Sequence, residues 1–225
     1  MQTGAQNAAT ASPKCRKPTK SVANLTYKGI KSYFCPHKRL AHIHSNTALT
    51  LRTMEQKQPL QVCIADDVLR QAATEGMDAF VKAFADAITE AAGGELNAEA
   101  MQSLNADQIT LWGYTLLHDE LMDGGFVQLI HNGYGPFFFR NPFAKAMRLW
   151  GLHAFSKLLY EARALYDLHG AKIEQPCSDE EFMALFEQFP EFDELDDTFI
   201  EQEEEIQAAV AHYIDEHIEN FATIV

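Results

Sequence analysis

One segment in the middle of the chain, residues 120–150, constrains the fold more than any other. It reads ELMDGGFVQLIHNGYGPFFFRNPFAKAMRLW, with four glycines and six aromatic residues between positions 124 and 143. Three consecutive phenylalanines are not typical of an exposed loop, because an apolar patch of that size would lie open to water. We therefore expect this segment to be tightly turned and buried under other elements.

The first glycines of the segment predict where its helices end. Only glycine takes a left-handed backbone conformation without steric cost, so Gly124 and Gly125 are predicted to end one helix. Residues 126–130 are then expected to form one or two helical turns, which Asn132 and Gly133 close. This part of the chain is predicted to be a sharp reversal rather than a continuous helix.

Two proline steps divide the second half of the segment. Gly135 and Pro136 predict a turn. Asn141 and Pro142 are expected to begin the next helix, with the asparagine as its cap and the proline at its first position. Glu120 directly precedes the double glycine, so it is predicted to cap free backbone amides of the short helix that follows.

These residues carry a resemblance to a known family. They are Glu120, Gly124, Gly125, Phe126, Asn132, Gly133, Gly135, Pro142, Phe143 and Ala144. The pattern resembles a bacterial family of small acidic all-α proteins, mostly of unknown function, whose best understood type is a DNA mimic protein. The resemblance runs from about Leu104 to the C-terminus. It implies an all-α fold, a homodimer and a surface that occupies the DNA-binding site of a transcription factor.

Two longer helices are predicted before the segment, after a short one marked by Val68, Leu69 and Ala72. The apolar stripe of the first is Phe80, Val81, Phe84 and Ile88. This helix is expected to end at Gly93 and Gly94. The second begins at Asn105, which forms a capping box with Gln108. Its inner stripe is predicted to be Ile109, Trp112, Leu116 and Leu117. Gly113 costs this helix about 1 kcal/mol relative to alanine, which predicts the close approach of a neighbouring element.

Helical patterns also continue after the segment. A long apolar stretch is predicted to kink at Gly151 and to end at Gly170. Ser178 and Glu181 form a second capping box, and Pro190 separates that helix from a final long one. No stretch alternates convincingly between apolar and polar residues, so the fold is predicted to be all-α.

The net charge of −14 hides a division of the chain into two parts. Residues 1–53 contain nine Lys or Arg and no acid, whereas residues 54–225 contain nine bases and 32 acids, a balance of −23. Residues 1–53 are predicted to be a disordered basic leader. Their composition also fits an organellar transit peptide, or an upstream extension from a misplaced start codon before Met54. Residues 60–225 are predicted to form one acidic domain.

The C-terminal part of this domain carries the highest acidity. After Lys172 there is no Lys or Arg, while 17 of the remaining 53 residues are Asp or Glu. Drawn as one helix over residues 193–221, this stretch has an apolar stripe of Phe199, Ile206, Val210, Tyr213 and Phe221. Nine acids fall on the opposite side: Asp193, Glu194, Asp197, Glu201, Glu204, Glu205, Asp215, Glu216 and Glu219. Glu203 falls near the apolar stripe, which predicts either a helix break near Ile200 or an arginine partner.

The nine acids are predicted to bind a basic partner. One strand of a DNA duplex carries a charge about every 3.4 Å, and Glu201 lies about 4.5 Å along the helix axis from Glu204 and about 6 Å from Glu205. We therefore predict a non-enzymatic, cofactor-free protein that competes with DNA for a basic DNA-binding protein, or binds another basic protein. Direct binding of nucleic acid is not expected, because acidic surfaces repel it. No membrane span or signal peptide is recognised, and a cytoplasmic location is expected.

Two alternative functions fit the same sequence. The first is an immunity-type inhibitor of a basic effector such as a nuclease, whose acidic face would look the same. The second is a metal-dependent hydrolase that uses His118, Asp119, Asp123 and His131. Convergence of these four side chains in a concave pocket would favour the enzyme, and dispersal over a convex surface would favour binding. The sequence lacks the repeated Glu-x-x-His pairs of helical di-metal sites.

Overall fold

Helices make up most of the structure, a computed structural model in which residues 60–94 and 98–225 are described. The prediction of an all-α fold is confirmed. The predicted leader, residues 1–53, lies outside the described residues. The helices are α1 (Asp66–Glu75), α2 (Met77–Ala91), α3 (Ala98–Met101), α4 (Ala106–His131), α5 (Gly135–Phe139), α6 (Phe143–Leu149), α7 (His153–Ile173), α8 (Asp179–Gln188), α9 (Asp193–Glu216) and α10 (Ile218–Phe221). A 3₁₀ turn, Pro190–Phe192, precedes α9.

A short parallel pair of strands joins the beginning of the described chain to its end. Strand β1 (Cys63–Ile64) pairs with strand β2 (Thr223–Ile224). The amide of Thr223 donates to the carbonyl of Val62 at 2.9 Å, and both Val62 and Ile64 are buried. Two residues per strand are too few to show the alternation that predicts a strand, which explains why this pair was not predicted.

The predicted stripe of α2 is confirmed, because Val81, Phe84 and Ile88 are buried. After the helix, Gly93 and Gly94 both adopt left-handed backbone conformations, with φ of +90° and +85°. These are the conformations that end a helix, and glycine adopts them without steric cost.

Helix α4 begins as predicted, with the capping box of Asn105 and Gln108 in place. Its buried face was predicted correctly only at Leu117. Before the glycine break, the buried apolar side chains are Leu111, Tyr114, Leu117 and Leu121, whereas Ile109, Trp112 and Leu116 are half-buried. The reason is that α4 contacts α2, α7 and α9, so it is covered on several sides and has no single inner stripe.

Gly113 allows two aromatic rings to approach α4, as predicted. A Cβ atom at this position would lie 2.9 Å from the ring of Phe143 and 3.0 Å from the ring of Phe137. Both phenylalanines are buried. Real Cβ atoms almost never come this close to other atoms, so the rings would have to move for any larger residue.

Two predictions for the segment between α4 and α6 are corrected. Gly135 and Pro136 begin the short helix α5 rather than a turn, and this helix buries three consecutive phenylalanines. Asn141 does not cap α6, because its side-chain amide donates to the carbonyl of Phe137 at 2.9 Å. Pro142 precedes α6, whose first residue is Phe143.

The two glycines predicted to interrupt the next helix behave differently. Gly151, with φ of +89°, separates α6 from α7 as expected. Gly170 does not end α7, which continues to Ile173. A Cβ atom at Gly170 would lie 2.4 Å from the ring of Tyr166, so this glycine leaves room for the tyrosine ring.

Candidate functional site: an acidic helix face

Helix α9 lies against α2, α4 and α7, with its apolar side buried. Phe199, Ile206, Val210 and Ile214 are all buried on this side. The capping box of Ser178 and Glu181, which opens the preceding helix α8, is confirmed. The buried side fixes the opposite face of α9 towards solvent.

The final helix was predicted to run unbroken to Phe221, and this prediction is wrong. Helix α9 ends at Glu216, and His217 leaves the helical conformation with φ of −135° before the short α10. The side-chain amide of Asn105 donates to the carbonyl of Asn220 at 2.7 Å. This bond fastens α10 to the start of α4 and turns the chain out of the axis of α9.

All nine predicted partner-binding acids are exposed. They are Asp193, Glu194, Asp197, Glu201, Glu204, Glu205, Asp215, Glu216 and Glu219. Within residues 60–94 and 98–225, no Lys or Arg forms an ion pair with any of them. Glu216 has His212 as a neighbour at 3.5 Å. The face is therefore a surface of carboxylates without intervening Lys or Arg partners.

The nine acids fall into two groups along the chain, with eight on α9 and Glu219 on α10. Six of them lie between Asp193 and Glu205, a rise of about 18 Å, which gives a mean axial interval of about 3.6 Å. They lie within an arc of about 120° around the axis. Residues 206–214 carry no acid, and the other three acids follow them. The mean interval of the first group is of the same order as the interval of about 3.4 Å between charges along one DNA strand, while its individual steps range from about 1.5 to about 6 Å.

Glu203 turns away from this face and contacts α4. Its Oε1 atom lies 2.7 Å from Nε2 of His118. Both explanations predicted for Glu203 are wrong, because α9 continues through Ile200 and the partner is a histidine. His118 is half-buried, with its ring centre 6.1 Å from that of Phe199.

Two carboxylates lie close to the His118 ring and affect its pKa. Oδ1 of Asp119 lies 3.8 Å from Nδ1, and Glu203 contacts the other ring nitrogen. Asp119 and Glu203 together raise the pKa of His118, and partial burial opposes them. Asp119 lies beside His118 on α4 and is exposed, whereas Glu203 lies on α9 and is half-buried, so of these two contacts only that with Glu203 connects the two helices.

The double glycine of α4 is fastened to α9 by Asp196, a residue that the sequence prediction missed. The backbone is non-helical at Gly124 and Gly125, where φ is −164° and +70°. The first amide after this break, that of Phe126, donates to Oδ1 of Asp196 at 2.9 Å. Burial raises the pKa of Asp196 to about 6, although the bond from Phe126 acts in the opposite direction. One signal was available, since Asp196 lies outside the arc of the exposed acids.

Glu120 does not have the predicted capping role, which Asp196 takes instead. The Oε2 atom of Glu120 accepts a hydrogen bond from the side-chain amide of Asn132 at 2.7 Å. Gly133 follows with φ of +86°, and Gly135 lies against the ring of Tyr166. The glycine motif, including Phe126 and Pro142, therefore forms the turns around the core.

The four residues of the predicted hydrolase do not converge. His118 and Asp119 line a cleft of about 470 Å³ between α2 and α4, but Asp123 and His131 do not. Asp123 accepts a hydrogen bond from the side chain of Gln128 at 2.8 Å, and Nδ1 of His131 donates to the carbonyl of Ile173 at 2.9 Å. In the part of the chain that the structure describes, no group of three or more His, Cys, Asp or Glu is arranged to hold a metal ion.

The fold and this face define an acidic helical protein with an unpaired carboxylate surface. Among residues 60–94 and 98–225, no helix is long and apolar enough to cross a membrane. Residues 102–217 match the sequence profile of the family described as DMP19-like protein, and the chain belongs to this family. It is 40% identical over 127 residues to the DNA mimic protein DMP19 of Neisseria meningitidis serogroup B (strain ATCC BAA-335 / MC58). The match covers 56% of this chain and 77% of that relative, and it confirms the resemblance based on the glycine motif.

Proposed function

We propose that this protein is a non-enzymatic DNA mimic. Its acidic face competes with DNA for the basic surface of a DNA-binding protein such as a transcription factor. The observation that carries the proposal is the group of six exposed acids on α9, spaced along the axis like the charges of one DNA strand. The relative named as a DNA mimic protein supports it. The proposal includes a homodimer, which would double the length of the acidic surface, and a cytoplasmic location.

Among the residues that the structure describes, no Lys or Arg pairs with this face, which favours a binding role over simple solubility. Like charges three or four residues apart on a helix destabilise it by tenths of a kcal/mol per pair. A face that served only solubility would carry Lys residues three or four positions from its acids. Lys82 and Asp86 on α2 are such a pair, with Nζ of the lysine 2.9 Å from Oδ1 of the aspartate. On α9, Glu201 and Glu205 have no such partner among the residues that the structure describes.

The face is also held in one orientation. Contacts of Glu203 with His118 and of Asp196 with Phe126 connect the first half of α9 to α4. The six acids therefore project from a helix that is packed on one side and connected at two points. A preorganised surface binds with a smaller entropic cost than a flexible acidic tail.

The first test identifies the partner and its relation to DNA. The protein is immobilised and exposed to an extract of the cells that produce it, and bound proteins are eluted with duplex DNA and separately with a salt gradient. We expect a basic DNA-binding protein that duplex DNA releases. If the captured protein is a nuclease whose activity this protein blocks, the immunity-type alternative is correct, and if duplex DNA releases nothing, mimicry is refuted.

The second test removes charge without changing shape. We expect the variant Glu201→Gln, Glu204→Gln, Glu205→Gln and Asp215→Asn to bind the captured protein more weakly and with a smaller dependence on salt, because fewer charges oppose its basic patch. The matched control is Asp67→Asn, Glu75→Gln, Glu161→Gln and Glu187→Gln, which removes the same charges from exposed positions on other helices. Equal affinities of the two variants would show that the binding surface lies elsewhere. Circular dichroism verifies the fold, and sedimentation tests the homodimer.

A further inference from the structure

Two contacts fix the register between α4 and α9. At one end, His118 of α4 contacts Glu203 of α9 at 2.7 Å. At the other end, the amide of Phe126 donates to Asp196 at 2.9 Å. The numbers rise along α4 as they fall along α9, so the two helices run antiparallel in this region. Residues 118–126 of α4 therefore lie beside residues 196–203 of α9.

The middle of this seam is apolar and exposed. On α4, Met122 lies one turn after His118 on the same face, and on α9, Ile200 lies one turn from both Glu203 and Asp196. The register therefore places Met122 and Ile200 at the same level along the two helices. Met122 is 52% exposed and Ile200 is 57% exposed. Two apolar side chains from different helices thus lie open to solvent between two polar contacts.

Exposed acids surround this pair on both helices. Asp119 and Asp123 lie on α4, and Asp197, Glu201 and Glu204 lie on α9. A lone exposed apolar side chain is ordinary on a protein surface. An apolar pair inside a rim of five carboxylates is different, because a surface that imitates only phosphate charge does not need it. The two ring nitrogens of His118 already lie near Asp119 and Glu203.

We propose that Met122 and Ile200 form an apolar contact point within the acidic face. It fits a segment of the basic partner that carries an apolar side chain among its Lys and Arg residues. This inference rests on the proposed function, since the same face supplies the charges, and it adds the chemistry of the partner. A second copy of this chain is a poor occupant, because five carboxylates would face five carboxylates.

The probes are two synthetic helical peptides with the same number of Lys and Arg residues. One carries two leucines four residues apart on its basic face, and the other carries serines at those positions. We expect the leucine peptide to bind the full chain about fivefold to tenfold more tightly, since it alone covers the apolar pair. The preference should disappear in Met122→Ser/Ile200→Ser and persist in the control Leu149→Ser/Leu168→Ser, whose positions on α6 and α7 are each 74% exposed.

The outcomes separate this inference from the proposed function. If the wild type binds both peptides equally, the apolar contact is refuted while the acidic face stands. If neither peptide binds, the acidic face itself loses its support. If Met122→Ser/Ile200→Ser converts a dimer to a monomer in sedimentation, the pair lies between copies and the inference is wrong. The comparison of the two peptides on the wild type does not depend on the folding of any variant.

Discussion

Replacement of Gly125 by alanine tests the connection between the glycine motif and the acidic helix. Gly125 has φ of +70° and ψ of −168°, a region of backbone conformation that is almost restricted to glycine. A Cβ atom here would lie 2.3 Å from Oδ2 of Asp196. The carboxylate would have to move, and its hydrogen bond with the amide of Phe126 would be lost or weakened.

The expected cost is the sum of two contributions. The backbone conformation costs an L-residue about 1–3 kcal/mol. Loss of a hydrogen bond to a charged group at a half-buried position costs about 1.5–3 kcal/mol. Gly125→Ala should therefore lower the free energy of unfolding by about 2.5–6 kcal/mol, out of the roughly 5–15 kcal/mol of a typical domain. At about 2–4 °C per kcal/mol for this size of domain, the midpoint of thermal unfolding should fall by at least about 5 °C.

The control and the double variant separate the two contributions. Gly151 has φ of +89°, and a Cβ atom added there would have nothing within 4 Å, so Gly151→Ala should cost only about 1–2 kcal/mol for its backbone conformation. In an Asp196→Ala background, Gly125→Ala should cost about as much as Gly151→Ala, because the carboxylate is gone. Urea unfolding of the four variants measures these differences. If Gly125→Ala costs no more than Gly151→Ala, or if the Gly125 and Asp196 changes are additive, this reasoning is wrong.

Two further predictions concern the leader and a titrating contact. We propose that residues 60–225 fold without the leader, so deletion of residues 1–53 should leave the thermal midpoint unchanged. Deletion of residues 1–65 also removes β1 and should lower the midpoint by several degrees. A large drop after deletion of residues 1–53 would show that the leader packs on the domain. Since the folded-state pKa of His118 is raised, its stabilising contribution is fully present below about pH 6.5 and is lost as the pH rises through the raised value. The difference in stability between wild type and His118→Gln should therefore narrow from pH 6 to pH 9. It should be no more than about 1 kcal/mol, because the site is partly exposed. A difference that stays constant with pH would mean that the charge of His118 is not involved.

Features that depend on neighbouring residues could be predicted from the sequence. Both capping boxes, at Asn105 and at Ser178, need only a side chain and the amide three residues later. The left-handed glycines Gly125 and Gly133 follow from local sterics. The exposure of the eight predicted acids on α9 follows from periodicity, because that helix has one buried side.

Features imposed by distant residues could not be predicted. Glu203 contacts His118, 85 positions earlier, and Asp196 accepts from the amide of Phe126, 70 positions earlier. No local pattern contains either partner. The break at His217 has the same origin, because α10 is held by Asn105 from the beginning of α4. Periodicity also failed for α4, which is packed on several sides.

The long-range contacts explain how α9 can be so acidic and still be a helix. Acids in its first turn, Asp193 and Glu194, are favoured by the partial positive charge of the helix N-terminus. Farther along, Glu201, Glu204 and Glu205 repel one another, and no Lys or Arg of the described chain offsets them. The helix is instead held by its buried side and by its contacts with α4. The exposed charge of α9 is thus separable from its folding. If this surface is acidic for binding, the variant with four amide substitutions should lose affinity while its stability stays the same or rises.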